Sequence, residues 1–181
     1  MENTLHGDDR VIVNRAAVSW AHFTGNEYVP ERGQIIVFLN EDEEAVAKYK
    51  SEGIEHPMTC NVPSNVSDQY IIKRVIAFPG ERVTVKDGIM TVYSWDEEKN
   101  DWNDGFVYDA EWRTSDTDGP KEYTSGEVDT IVPDGELFVS GDNREGSNSW
   151  DSRNGLGTIP YCRIIGPVAF RLFPFDKIRT F

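Results

Sequence analysis

The stretch YIIKRVIAFPGERVTVKDGIMTVY, residues 70–93, decides the fold. Three runs rich in Val, Ile and Thr are broken by Pro79-Gly80 and by Lys86-Asp87-Gly88, which is the punctuation of short antiparallel strands. Arg82–Lys86 and Ile89–Tyr93 read as a hairpin closed by a two-residue Asp87-Gly88 turn. Working outward, similar runs occupy 10–15 (RVIVNR), 34–39 (QIIVFL), 136–140 (ELFVS) and 164–173 (IIGPVAFRLF), with turn signals at Arg32-Gly33 and Pro133-Asp134-Gly135. One helix is expected, Glu41–Lys50, short and charged. There is no internal repeat and no low-complexity tract. The fold class is mostly β, an antiparallel-sheet core with a small inserted β lobe.

Length and charge bound the rest. A chain of 181 residues holds one good-sized core, or a core with an appended lobe. With 38% hydrophobic and 28% charged residues it is too apolar for a disordered chain and too polar for an integral membrane protein. The first residues, Met-Glu-Asn-Thr-Leu-His, have neither the basic start nor the apolar stretch of a signal peptide. A net charge of −14 argues against a nucleic-acid partner and sets up repulsion from an anionic membrane surface. The imbalance is local: Asp96–Glu136 holds 14 acids against three bases. Residues 91–133, with Trp95, Trp102 and Trp112, read as an acidic, aromatic-rich inserted lobe, and residues 1–90 and 134–181 as the core. Calcium is not indicated there. Setting Gly119 at the glycine position of an EF-hand loop leaves Thr114 and Ser125 at two ligand positions.

Cys60 and Cys162 lack the spacing of a zinc or redox pair, and either a long-range disulfide or two thiols fits them. His6, His22 and His56 stand in unrelated contexts, so no metal is expected. No phosphate-binding GxxxxGK[ST] and no GxSxG elbow occurs.

Two features carry chemistry. In Tyr70–Ala77 one strand face holds Tyr70, Ile72, Arg74 and Ile76, and the other holds Ile71, Lys73, Val75 and Ala77. A lysine buried among three apolar groups is pushed toward its neutral form and becomes a competent base for a serine hydroxyl. The alternative is a lysine at a sheet edge whose amine reaches water. The second feature is GDNREGSNSWDSRNG, residues 141–155, a polar loop able to fix itself through Asp–Arg pairs and side-chain-to-backbone hydrogen bonds. Its alternative is a self-capped turn with no chemical part.

Together these stretches resemble the bacterial type I signal peptidases, membrane-anchored Ser–Lys proteases. Four stretches carry the resemblance in order: MENTLHGDDRVIVNR (1–15), RGQIIVF (32–38), YIIKRVIAFPGERV (70–83) and SGDNREGSNSWDSRNGLG (140–157). The resemblance implies that Lys73 is the general base and that Ser149 orients its amine, with Ser147 as competitor. It implies that Asp142, Asn143 and Arg144 brace the loop with an Asp151–Arg153 ion pair, and that Met1, Leu5, Ile71 and Ile72 line the substrate pockets. The substrate would be the signal peptide of an exported preprotein, added as an extended strand at a sheet edge and cut after Ala-x-Ala. No cofactor is implied. An N-terminal anchor would hold the enzyme in membrane lipid, at the plasma membrane, with the catalytic domain on the extracytoplasmic side.

The chain departs from the family pattern in three places. The nucleophilic Ser of the family immediately precedes the residue that aligns with Met1, so the chain is expected to be a truncation, inactive as written. Asn3 stands where many members have Pro, and four residues rather than two separate Arg144 from Ser149. Two rivals remain: a self-cleaving repressor domain of the same Ser–Lys type, which would carry a basic DNA-binding domain, and a non-catalytic β-module binding extended peptides or sugars.

Overall fold

The computed structural model describes residues 1, 4–5, 7–39, 70–108, 124–146, 148–173 and 179–181. The expected helix Glu41–Lys50, Cys60 and Ser147 lie outside them. Tyr70–Ala77 forms β3, Arg82–Lys86 β4 and Ile89–Tyr93 β5, with the bounds read from the sequence. Lys86 pairs with Ile89 across the turn, and Asp87 and Gly88 take φ of 53° and 81°. Two successive left-handed residues match the twist of a two-residue hairpin.

The other predicted runs also form strands: β1 (Arg10–Val13), β2 (Ile35–Leu39), β10 (Glu136–Ser140) and β12 (Ile164–Phe173). Among the described residues a seven-stranded sheet runs β1-β12-β2-β3-β10-β11, with β11 at Ile159–Pro160 and β13 (Arg179–Thr180) beside β12. A four-stranded sheet runs β8-β5-β4-β9, where β8 is Phe106–Val107 and β9 is Val128–Ile131. β6 (Trp95–Asp96) and β7 (Asp101–Trp102) make a small separate ribbon whose two indoles meet edge to face at 5.4 Å. β8 and β9 carry little apolar alternation, and pairing with the hairpin is what makes them strands.

One element was not foreseen. The run read as a strand through Arg15 stops at Val13, and Arg15–Phe23 is a helix, α1. Asn14 caps it by accepting the Ala16 N–H at 3.1 Å. Only Val18 of its nine residues is buried, so no apolar stripe marked it.

The cores follow the faces of the strands. Ile36, Phe38, Val75, Leu137, Val139, Ile159 and Ile164 fill one side of the large sheet, with Val18 beneath α1. Leu5, Ile35, Val37 and Val168 fill the other side, together with Met1 and Ile72. Ile76, Ala77, Val83, Val85, Met90, Val92, Tyr108, Val132 and Phe138 form the core against the second sheet. Arg32 ties the two sheets, pairing both its terminal nitrogens with Glu81 at 2.9 and 2.7 Å and lying 4.7 Å from the Phe78 ring centre. No described helix is long and apolar enough to cross a membrane.

Gly88 holds a left-handed conformation that costs a branched L-residue about 1–2 kcal/mol. Gly88→Val is therefore expected to lower the unfolding free energy by about that amount, read from the urea midpoint.

Candidate active site

The site begins with unequal strand lengths. β2 pairs with β3 from Tyr70 to Arg74, but β10 pairs with it only through Ala77, Val75 and Arg74. Lys73 is thus the first residue of β3 past the β10 pairing. From Tyr70 to Lys73 the edge facing β10 carries no strand among the described residues. Lys73 stands across from Ile36 and between Ile71 and Val75, which pack on the same face. Loss of water lowers its pKa from the ordinary 10.5, while the carboxylates of Asp151 and Asp142 pull the other way. Its amine makes no hydrogen bond or ion pair with the described residues.

The next residue, Arg74, points to the opposite face and is 1% exposed. It donates to the two oxygens of Asp142 at 2.8 and 2.7 Å and to the Gly33 carbonyl at 2.5 Å. Thr4 donates its hydroxyl to the same carboxylate. Burial of Asp142 works against its ionisation, but the Arg74 hydrogen bonds and charge, with Thr4 and Arg144, outweigh it and hold the carboxyl below the usual range.

The loop after β10 is built round Asp151. Its carboxylate accepts the Gly141 N–H at 2.9 Å, the Ser140 hydroxyl at 3.1 Å, and Arg153 through Nε at 3.0 Å and Nη2 at 2.8 Å. Burial again opposes ionisation, and the Arg153 pairing again prevails, so its pKa too is lowered. Arg153 also donates to the carbonyls of Ser125 and Arg144, at 3.2 and 3.1 Å. Arg144 is fully buried, 5.3 Å from the Tyr108 ring centre and 3.4 Å from the Gly141 carbonyl. The second sheet therefore supports the loop from below. Asn143 is half-buried between these two fixed points.

Ser149 packs over Gly141, and the Met1 nitrogen lies near the same glycine. A methyl group placed on Gly141 would stand 2.0 Å from Ser149 Oγ and 3.6 Å from the Met1 nitrogen. Ser149 is 3% exposed. Met1, Leu5 and Ile72 share one apolar cluster, and Ile71 packs on the opposite side of the sheet. Cys162 is half-buried within the short 3₁₀ turn Tyr161–Arg163. No cluster of three or more metal-ligating groups occurs among the described residues.

Two residues at the site escaped the sequence reading: Thr4 and Arg74. Arg74 interrupts an inward-facing apolar position of β3, and a charge placed there needs a partner. That signal was available.

The family model described as "Signal peptidase, peptidase S26" matches residues 1–173. This chain belongs to that family. It is 30% identical to signal peptidase I of Bacillus amyloliquefaciens over 187 residues, covering 99% of this chain and 74% of that protein. It is 33% identical to the probable signal peptidase I-1 of Synechocystis sp. over 174 residues, covering 96% and 67%. A solved signal peptidase I from Enterococcus faecalis aligns at 24% identity with a TM-score of 0.43, over 77% of this chain and 96% of that one. The chain is thus a peptidase of the signal peptidase class, and signal-peptide cleavage is the family's reaction.

Two outcomes are expected from this geometry. Gly141→Ala forces Ser149 aside and is expected to cost about 1–3 kcal/mol, read by thermal unfolding. Asp142 and Asp151 have folded pKa values below the unfolded 3.8, so their stabilisation is present above that pH and is lost as the pH falls through the folded values. An acid unfolding titration of Asp142→Asn is expected to show lower stability at neutral pH and a shallower acid limb than the parent.

Proposed function

We propose that the chain is the catalytic part of a serine endopeptidase that removes signal peptides from exported preproteins, cutting after Ala-x-Ala. The observation that supports this reading is a desolvated Lys73 on the edge of β3 that no described strand covers, in the field of the loop that packs Ser149 over Gly141. The nucleophile is a serine immediately before Met1, as the resemblance places it. Its oxygen attacks the scissile carbonyl carbon while neutral Lys73 takes the hydroxyl proton. The proton passes to the leaving amine as the C–N bond breaks, which leaves an acyl ester on the serine. Water, deprotonated by Lys73, then hydrolyses that ester. Backbone N–H groups near the nucleophile hold the oxyanion. Ser149 orients the lysine amine, and Asp142, Asn143, Arg144 and the Asp151–Arg153 pair keep the loop in place.

Substrate adds as an extended strand to the Tyr70–Lys73 edge of β3, which no described strand pairs with on the β10 side. Met1, Leu5 and Ile72 form an apolar floor that takes small side chains, and Ile71 supports the strand from behind. In the cell the enzyme is held at the plasma membrane by an N-terminal anchor, facing the extracytoplasmic side.

The test is cleavage of an Ala-x-Ala signal-peptide substrate in detergent by a chain extended upstream with the serine and its preceding residues. A polypeptide starting at Met1 serves as the control. Activity is expected in the extended chain alone, with a loss of about 10²–10⁴-fold in Lys73→Ala. Only neutral lysine accepts a proton, so kcat is expected to rise with pH through an apparent pKa below the ordinary 10.5. A folded, extended chain that fails to cleave, or that cleaves equally well without Lys73, sinks the reading.

A further inference from the structure

Arg171 lies where a strand pattern calls for an apolar side chain. In β12 it alternates inward between the exposed Phe170 and Leu172, opposite Val11 of β1, and it is 6% exposed. Its Nη1 donates to the carbonyl oxygen of Thr4 at 2.8 Å and approaches Asp9 Oδ2 at 3.4 Å. The Asp9 side chain is buried as well, 5% exposed. A sealed charge pair at the end of an apolar strand is expensive in desolvation and contributes little to net stability. Its contact with one particular backbone oxygen is the informative part.

Thr4 belongs to a tight turn. The Met1 carbonyl accepts both the Thr4 N–H at 2.9 Å and the Leu5 N–H at 2.7 Å. The turn is gripped on two sides: the Thr4 hydroxyl by Asp142, which Arg74 holds, and the Thr4 carbonyl by Arg171, which Asp9 holds. The Met1 nitrogen at the head of this turn lies over Gly141 beside Ser149. The orientation of the turn therefore sets where any residue preceding Met1 is delivered.

We propose that Arg171, set by Asp9, is a positioning residue for the nucleophile: by holding the Thr4 carbonyl it fixes the Met1–Leu5 turn so that the residue before Met1 presents its hydroxyl to Lys73 and Ser149. This rests on the reading that a serine at that position is the nucleophile. Asp142 and Arg74 set the hydroxyl face of Thr4, and Arg171 and Asp9 set its opposite face. Thr4 is thereby held on both faces.

The experiment uses the extended chain carrying the serine. The double variant Asp9→Leu with Arg171→Met replaces the buried pair by apolar groups, which avoids a lone buried charge and favours folding. It is expected to unfold cooperatively and to lose about a hundredfold in kcat, as a misplaced reacting group does, with a smaller change in KM, because the β3 edge is untouched while the Met1 and Leu5 part of the floor loosens. Hydrogen exchange of the Thr4 and Leu5 amides is expected to quicken in it. Arg171→Lys keeps the charge beside Asp9 and a donor near Thr4, and its kcat is expected to be intermediate. Should the double variant fail to fold, Arg171→Lys carries the test alone, with kcat reduced by a larger factor than KM changes supporting the assignment. A folded double variant with parental kcat, a change confined to KM, or an Arg171→Lys protein indistinguishable from the parent overturns it. An extended parent that does not cleave, or that is indifferent to Lys73→Ala, overturns the nucleophile reading itself, and the positioning role falls with it.

Discussion

A charge pair sealed inside the sheet, Arg74 with Asp142, is the constraint on which the site hangs. Arg74 is fixed by strand pairing to β2 and β10, and Asp142 by the turn that leaves β10. Their two hydrogen bonds lock the loop to the strand, and the spare donor and acceptor capacity goes to Gly33 and Thr4. Desolvating both charges is costly, and removal of either partner alone strands the other at a penalty of about 3–5 kcal/mol. The pair therefore specifies an arrangement more than it adds stability. It makes four segments distant in the chain agree on one geometry.

Adjacent cations on β3 meet opposite fates because alternate residues of a strand face opposite ways. Arg74 turns toward Asp142 and is neutralised by it, whereas Lys73 turns toward Ile71, Val75 and Ile36. The nearby carboxylates do not rescue the lysine charge, since Asp142 and Asp151 are each already engaged by an arginine. A carboxylate whose charge is balanced at hydrogen-bond distance exerts a weak field further out. Desolvation consequently dominates at Lys73. The arginines thus shape the lysine's chemistry without touching it.

Most strands were legible because their cause is local. Val and Ile alternation bounded by Gly and Pro marks β3, β4, β5, β10 and β12, and Asp87-Gly88 marks its own hairpin. The helix Arg15–Phe23 was not legible, since it buries one residue and its Trp20 and Phe23 face outward. β8 and β9 were illegible for a different reason: Phe106–Val107 and Val128–Ile131 become strands through partners in β5 and β4. At the site, Lys73, Ser149 and the Asp–Arg loop were visible as residue types in a pattern. The partners of Asp142 were not, because Arg74 and Thr4 lie 68 and 138 residues away in sequence and pair by three-dimensional accident of the sheet order.

The Met1–Leu5 turn is held by contacts that span 138 residues to Asp142 and 167 residues to Arg171. Loop closure of that size is among the last things a folding chain accomplishes. During synthesis the first residues wait, unplaced, until the strand containing Arg171 has been made. A chain shortened before Arg171 lacks the donor that holds the Thr4 carbonyl, so that face of the turn is fixed only once β12 has been made.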